Sequence, residues 1–171
     1  MESKLVLITG MSASGKTTLG EALNEKLREL NQCSIHLDGI EFREMIGRMD
    51  FTGKGTRSTI EARERIAKVL LRKGIILIIT TVGPSDDDRK KLLSMASSIH
   101  VHLDCPIEEL KKRDFKGVYE KADRGEMILP GYSYEYEVPK NPDLLLKSCE
   151  MSVEEEVEKV IKFMREKGWL G

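Results

Sequence analysis

Eight residues near the amino terminus have the types and spacing to hold a triphosphate. Gly10-Met11-Ser12-Ala13-Ser14-Gly15-Lys16-Thr17 fits G-x-x-x-x-G-K-[ST] at every fixed position. The small residues Gly10, Ser12, Ala13, Ser14 and Gly15 let the backbone curl until several N–H groups face one point. A helix starting there adds positive potential. Lys16 is placed to reach the β- and γ-phosphates, the Thr17 hydroxyl to ligate Mg²⁺, and Thr18 to line the same cradle. A ligand-free glycine turn is the bland alternative, disfavoured by the strand expected before the motif and the helix after it. Asp38, after Ile35-His36-Leu37, is the second chemically loaded position. A carboxylate at a strand end beside the cradle holds Mg²⁺ through water or accepts a proton from an attacking hydroxyl. The alternative there is an Asp-Gly turn that caps a helix. An N-K-x-D motif for guanine is absent, and the apolar run Ile75–Thr80 leads into Thr81 rather than an acid. That layout is one of a small-molecule kinase, with Lys16 and Asp38 as the catalytic pair.

The elements that position these residues alternate along the chain. Lys4–Thr9 reads as a strand and Lys16–Leu30 as a helix through Leu19, Leu23, Leu27 and Leu30. Ser34–Leu37 is a second strand. Ser58–Arg72 is a helix, and Ile75–Thr80 is a strand apolar enough to lie in the middle of a parallel sheet. Asp86–Ser97 is predicted helical, Ile99–Asp104 a strand, Ile107–Asp114 a helix, Leu144–Leu146 a strand and Val153–Lys167 a closing amphipathic helix. The expected fold is α/β: a three-layer P-loop NTPase fold with a five-stranded parallel sheet flanked by helices. Ligands bind at the carboxyl ends of such strands, where Thr9, Asp38, Thr81 and Asp104 lie. The region Lys116–Asn141, rich in Gly, Pro, Tyr and charge, breaks the alternation and reads as part of a lid over about residues 112–141. Residues 1–171 are expected to form one domain.

Composition narrows the function classes. The 171 residues carry 28 Lys plus Arg against 29 Asp plus Glu, a net charge of -1 that argues against nucleic acid as the partner. No apolar run is long enough to span a membrane, and the amino terminus reads as a strand rather than a targeting segment. Cys33, Cys105 and Cys149 show no C-x-x-C spacing, which fits a reducing cytoplasm and gives no metal signature. Cys33 and Cys149 are read as buried packing residues. His36, His100 and His102 are read as strand residues, the last two sharing a face. Val153, Val157, Val160, Ile161 and Met164 share one face of the last helix, read as packing on the sheet, with a homodimer through that face as the alternative.

Several segments together resemble the adenylylsulfate (APS) kinase family, whose members phosphorylate the 3′-hydroxyl of adenosine 5′-phosphosulfate (APS). The cradle is similar, and Leu37-Asp38-Gly39 with Arg43 resembles L-D-G-D-N-V-R. Val82-Gly83-Pro84 stands where the family has I-S-P. Arg113-Asp114-Phe115-Lys116-Gly117-Val118-Tyr119-Glu120-Lys121-Ala122 resembles R-D-x-K-G-x-Y-x-K-A. Tyr136-Glu137-Val138-Pro139 and Asn141-Pro142-Asp143-Leu144 resemble Y-E-x-P and N-P-x-L. The resemblance implies ATP and Mg²⁺ as cofactors and a small-molecule hydroxyl acceptor, APS before others, within sulfate assimilation. It implies Arg113 and Lys116 on the ATP side. Asp38, Arg43, Phe51, Arg57, Val82 and Gly83 fall on the acceptor side, with Phe51 stacking on the adenine and Mg²⁺ held by Thr17 directly and by Asp38 through water. The acceptor segments depart from the pattern. Ile40 and Glu41 replace the family's second Asp and Asn. Gly55, Thr56, Thr59, Glu61 and Ala62 fall in its D-R-x-E-N-x-R-R stretch, with Arg57 and Arg63 out of register. Ile128-Leu129-Pro130-Gly131 lacks the Lys and Phe of K-x-F-T-G, leaving Tyr132 or Tyr134 as replacements. A kinase for a sugar, nucleoside or amino-acid derivative is the second reading, and a nucleotide-binding regulator without catalysis the third.

Overall fold

The computed structural model describes residues 3–47 and 53–171, so Phe51 lies outside the described residues. Five strands, β1 (Lys4–Gly10), β2 (Ser34–Asp38), β3 (Ile76–Thr81), β4 (Ser97–Asp104) and β5 (Leu144–Lys147), form one sheet in the order β2-β3-β1-β4-β5. Every neighbouring pair is parallel. The helices are α1 (Lys16–Glu29), α2 (Gly39–Met45), α3 (Gly53–Leu71), α4 (Asp86–Leu93), α5 (Ile107–Arg113), α6 (Val118–Asp123) and α7 (Val153–Glu166).

The pleat sorts the central strands into two cores. Val6, Ile8, Ile76 and Ile78 face α1 and α7, meeting Leu19, Leu23, Val160 and Met164. Leu5, Leu7, Leu77 and Ile79 face the other way, onto Phe42 of α2, Ala67 and Leu71 of α3 and Leu92 of α4. Side chains buried on both faces explain why these strands read as unbroken apolar runs. The apolar face of α7 is used inside this chain, with Val160 and Met164 fully buried, so it packs on the sheet as expected. Ser152 and Glu155 start α7 with a reciprocal capping box. Trp169 is buried, and its carbonyl accepts from Lys4 Nζ at 2.8 Å, tying the last residues back to β1.

Three expectations change. The helix predicted from Ser58 begins at Gly53, because the long packed face of α3 outweighs the poor propensity of its opening glycines. The helix predicted to run to Ser97 stops at Leu93, and Ser97 pairs instead with Lys4 of β1, so sheet pairing takes the end of that segment. Cys105 and Cys149 form a disulfide across 44 residues, and Cys33 is exposed rather than packed. The spacing showed no such pair because it arises from parallel neighbours: the two cysteines follow the adjacent strands β4 and β5. Among the described residues no helix is long and apolar enough to cross a membrane.

Candidate active site

The cradle turns from β1 into α1 through Gly10 and Gly15. Gly15, the N-cap of α1, has φ of 93°, a left-handed conformation that favours glycine. A Cβ on Gly10 would meet Ser14 Oγ at 2.7 Å and the Leu103 carbonyl at 2.8 Å, so the loop sits too close to β4 for any side chain there. Ala13 also takes positive φ, at 63°. Ser14 is buried and its hydroxyl has no partner among the described residues, while Ser12 is half-buried. Lys16 bends back over the loop and donates from Nζ to the Met11 carbonyl at 2.6 Å. Burial pushes its amine down to about 8, with the Asp38 charge pulling the other way. Thr17 and Thr18 are exposed at the start of α1.

Asp38 caps a helix, as the Asp-Gly alternative called for, and its second oxygen faces the first turn of α1. It is the N-cap of α2, where Oδ1 accepts from the Ile40 amide at 2.8 Å and the Glu41 amide at 3.4 Å. Its Oδ2 accepts from Thr17 Oγ1 and Thr80 Oγ1, each at 2.8 Å. Burial alone would raise this carboxyl, but those hydrogen bonds, from Thr17 and Thr80 first, hold it below its usual value and ionised. Because the Thr17 hydroxyl spends its proton on Asp38, its oxygen lone pairs remain for a ligand. That donor set, a hydroxyl oxygen beside a fixed carboxylate, suits a hard divalent cation such as Mg²⁺. His36, beside Thr80 at 3.0 Å, is lowered by burial and packs as a strand residue. His100 Nε2 and His102 Nδ1 both meet Thr9 Oγ1, at 2.8 and 3.0 Å, which fixes the floor under the cradle. Burial pushes both rings down to about 4, so they are neutral at physiological pH.

The lid segment is anchored on the cradle. Tyr119 of α6 is buried, and its hydroxyl donates to the Ser12 carbonyl at 2.8 Å. It packs with Leu110 and Leu129 against Met11 and Ala13, while Asp114 accepts from the Tyr119 amide at 2.8 Å. The motif read as R-D-x-K-G-x-Y thus supplies a cap at Asp114, a left-handed turn at Gly117 (φ 65°) and an anchor at Tyr119. Arg113 is exposed; it pairs with neither Asp114 nor Glu109 but donates to the Ser148 carbonyl at 3.1 Å, next to the disulfide. Lys116 is exposed on the turn before α6. Tyr132 meets Tyr119 edge-on at 5.0 Å and donates to Asp123 at 2.6 Å, which commits it to the lid. Tyr134 is exposed.

The structure separates the residues that the sequence grouped as acceptor-binding. Val82 and Gly83 follow β3, Gly83 in a left-handed turn with φ of 59°. Arg43 is half-buried on α2. Arg57 lies on the solvent face of α3, 3.5 Å from Glu61. Arg63, six residues further along α3, is buried, and its Nη1 donates to Thr81 Oγ1 at 2.8 Å. Arg89 of α4 is buried too, donating to the Gly83 carbonyl, to Asp86 and, at 2.5 Å, to the Glu137 carbonyl. It ties the loop after β3 to the end of the lid. Sequence did not single out Arg89, and it noted Arg63 only as out of register beside the acceptor-side pattern. Arg89 carried no signal beyond an arginine at a helix position facing the sheet, which reads as surface until the packing is known.

Comparison with known proteins agrees with this geometry. The adenylylsulphate kinase family pattern matches residues 2–147. An adenylyl-sulfate kinase of Halothermothrix orenii is 34% identical over 168 residues, covering 96% of this chain and 91% of its own. A cytidine diphosphoramidate kinase of Campylobacter jejuni is also 34% identical, covering 92% of this chain and 94% of its own. Among solved structures, the Mycobacterium tuberculosis APS kinase in complex with AMPPNP and APS superposes with a TM-score of 0.87. It is 27% identical and covers 96% of this chain and 98% of the other.

Proposed function

The chain belongs to the adenylylsulfate kinase family, a family of phosphotransferases acting on a hydroxyl group, and on that premise we propose that it moves the γ-phosphoryl group of ATP to the 3′-hydroxyl of APS. The single observation that carries this reading is the junction of Thr17, Asp38 and Thr80, where a fixed carboxylate meets the first turn of the phosphate cradle. Gly10–Thr18 bind the triphosphate through backbone amides, and Lys16 swings from the Met11 carbonyl to the phosphates. Mg²⁺, held by Thr17 and by Asp38 through water, would neutralise charge on the transferring group. Asp38 orients the acceptor hydroxyl and accepts its proton, late in a reaction whose rate rests on positioning and electrostatics. Tyr119 keeps the lid seated on the cradle, with Arg113 and Lys116 presented on the ATP side, so that water is kept from the phosphoryl group. Residues 1–171 act as one domain with this lid, and the product would serve sulfate assimilation.

A second acceptor is favoured by one specific observation. The Campylobacter jejuni relative, named for cytidine diphosphoramidate, is as similar in identity as the Halothermothrix orenii APS kinase, and this chain has Ile40, Glu41 and Ala62 on the acceptor side. Acceptor-stimulated ADP release decides between the two. Stimulation by APS is the expected result; stimulation by cytidine diphosphoramidate and not by APS would replace the acceptor while keeping the kinase.

A further inference from the structure

We propose that His102 is a positioning residue for the transfer step: locked with His100 on the Thr9 hydroxyl, it ties the returning end of the lid to the start of the phosphate cradle. The inference goes beyond the kinase reading above and rests on it only for the step being positioned. Thr9 is the residue before Gly10, and the strand register sets it beside His102. His100 and His102, two apart on β4, share one face of the sheet. All three side chains are buried, Thr9 completely. Thr9 Oγ1 lies 2.8 Å from His100 Nε2 and 3.0 Å from His102 Nδ1, and it has no other partner among the described residues.

Hydrogen counting fixes what these contacts are. A hydroxyl has one proton to donate, and a neutral imidazole has one N–H and one bare nitrogen. Burial keeps both rings neutral. Thr9 therefore donates to one ring and accepts from the other. If it donates to His100 Nε2, His102 donates from Nδ1, and both rings carry their proton on Nδ1. If it donates to His102 Nδ1, His100 donates from Nε2, and both carry it on Nε2. Either way the two rings hold the same tautomer, and neither switches without the other.

His102 also meets the lid. Its ring stacks on Tyr136, with centroids 6.2 Å apart and planes at 24°. The Tyr136 hydroxyl donates to the Val82 carbonyl at 3.4 Å, and the Arg89 guanidinium lies 6.0 Å from the ring centre. A Cβ on Gly131 would come within 2.9 Å of both the Tyr136 ring and Met11 Sδ, so lid and cradle close on each other with no room for a side chain. An imidazole held at a fixed tilt by Thr9 thus gives Tyr136 one seat relative to Gly10. Rate is sensitive to such seating, since a misplacement of about 1 Å far from the chemistry can cost about 10²-fold.

Long-range ¹H–¹⁵N spectra of the histidine-labelled full chain at pH 7 read the tautomers directly. The wild type should show His100 and His102 in one matched tautomer. Thr9→Val, which keeps the shape and removes the hydroxyl, should let both rings average. ADP release stimulated by APS or by cytidine diphosphoramidate, whichever the wild type takes, reads the consequence. Thr9→Val should lower kcat about 10–100-fold. So should His102→Phe, which keeps a ring against Tyr136 but not the bond to Thr9; it carries the comparison if Thr9→Val does not fold. AMPPNP affinity should stay within about threefold in both. Thr9→Ser returns the hydroxyl and should restore the matched tautomers and most of kcat. Opposed tautomers in the wild type overturn the proposal, as do variants that turn over like the wild type or lose as much AMPPNP affinity as kcat. Those results leave the kinase reading standing, whereas a wild type that turns over neither acceptor overturns both.

Discussion

The proposed donor side and the proposed acceptor side of this molecule are built from different materials. The donor side is mostly backbone: a loop from Gly10 to Gly15 with glycines at its ends, an α1 N-terminus behind it, and a lid held by Tyr119 on the Ser12 carbonyl. The segments expected to face the acceptor offer mostly side chains reaching from helices: Arg43, Arg63, Asp88 and the Arg89 network around Gly83. Backbone recognition needs fixed spacing and small residues, so it tolerates few changes. Side-chain recognition can be moved one helical position and re-aimed by packing. Arg57, on the solvent face beside Glu61, and Arg63, buried on Thr81, show how one helix turns its arginines to opposite surroundings. A family that keeps its phosphate donor and varies its acceptor would change the second side first.

The strongest way to break this division is at Lys16. Lys16→Ala removes the cation of the cradle itself and is expected to cut kcat/KM by about 10³-fold or more, comparable to losing a preorganised donor to the transferring group. The pH dependence should follow the same side chain. Its amine titrates near 8 in the free enzyme, pushed down by burial, so raising the pH through that value strips the charge before ATP binds. AMPPNP affinity should fall about tenfold per pH unit above it. In Lys16→Ala that alkaline limb should be missing; its persistence would place the titration elsewhere.

Asp38 joins the two sides, and its substitution should separate them. Asp38→Asn keeps the shape but replaces an anion that accepts four hydrogen bonds with a group carrying two donors. Turnover should drop by about 10²-fold, as for removal of a positioned acid–base group, while AMPPNP binding changes by less than tenfold. Equal losses in both would make Asp38 a support of the cradle rather than a residue of the transfer step.

The disulfide sharpens the comparison from the stability side. Cys105 and Cys149 clasp the ends of β4 and β5 beside Ser148, the residue on which Arg113 rests. Cys149→Ser should lower stability by about 2–4 kcal/mol in urea unfolding under oxidising conditions. Adding a reductant should bring the wild type down to the variant. If it does not, the clasp contributes nothing to the folded state.

How much of this was legible in the sequence follows from the same division. The cradle was readable because its physics constrains residue type directly: Gly15 must take a left-handed turn and Gly10 must lie against β4. The strand order was less so: an apolar run put Ile75–Thr80 in the middle of the sheet, and β3 does lie inside it, between β2 and the central β1. The lid motif was visible as a string, but its reasons, a cap at Asp114 and an anchor at Tyr119, needed the fold. Arg89, and the burial of Arg63, were hidden because an arginine inside a charged helix carries no mark of burial. That mark is set by which face α3 and α4 turn to the sheet, and the opening of α3 was itself misplaced by its glycines. The disulfide was hidden because strand adjacency in a parallel sheet is not sequence adjacency.

The smallest expected effect tests whether the lid belongs to the donor side at all. Tyr119→Phe removes one hydroxyl and nothing else, and the ring keeps its place among Leu110 and Leu129. The lost hydrogen bond, from the tyrosine to the Ser12 carbonyl, is neutral and partly buried, so its loss should cost about 0.5–1.5 kcal/mol. Because Ser12 lies in the cradle, that cost should appear in the KM for ATP, as a rise of about 2–10-fold, and not in the KM for the acceptor. Removing the hydroxyl also leaves the Ser12 carbonyl without this donor, so the loop loses one tie while the packed ring stays seated. Burial raises the Tyr119 hydroxyl well above its usual value, which keeps it protonated and donating throughout the working pH range. The effect of Tyr119→Phe should therefore be the same at pH 6 and pH 9 once the Lys16 limb is divided out. An effect confined to the acceptor KM would move Tyr119, and with it the lid, to the other side of the molecule.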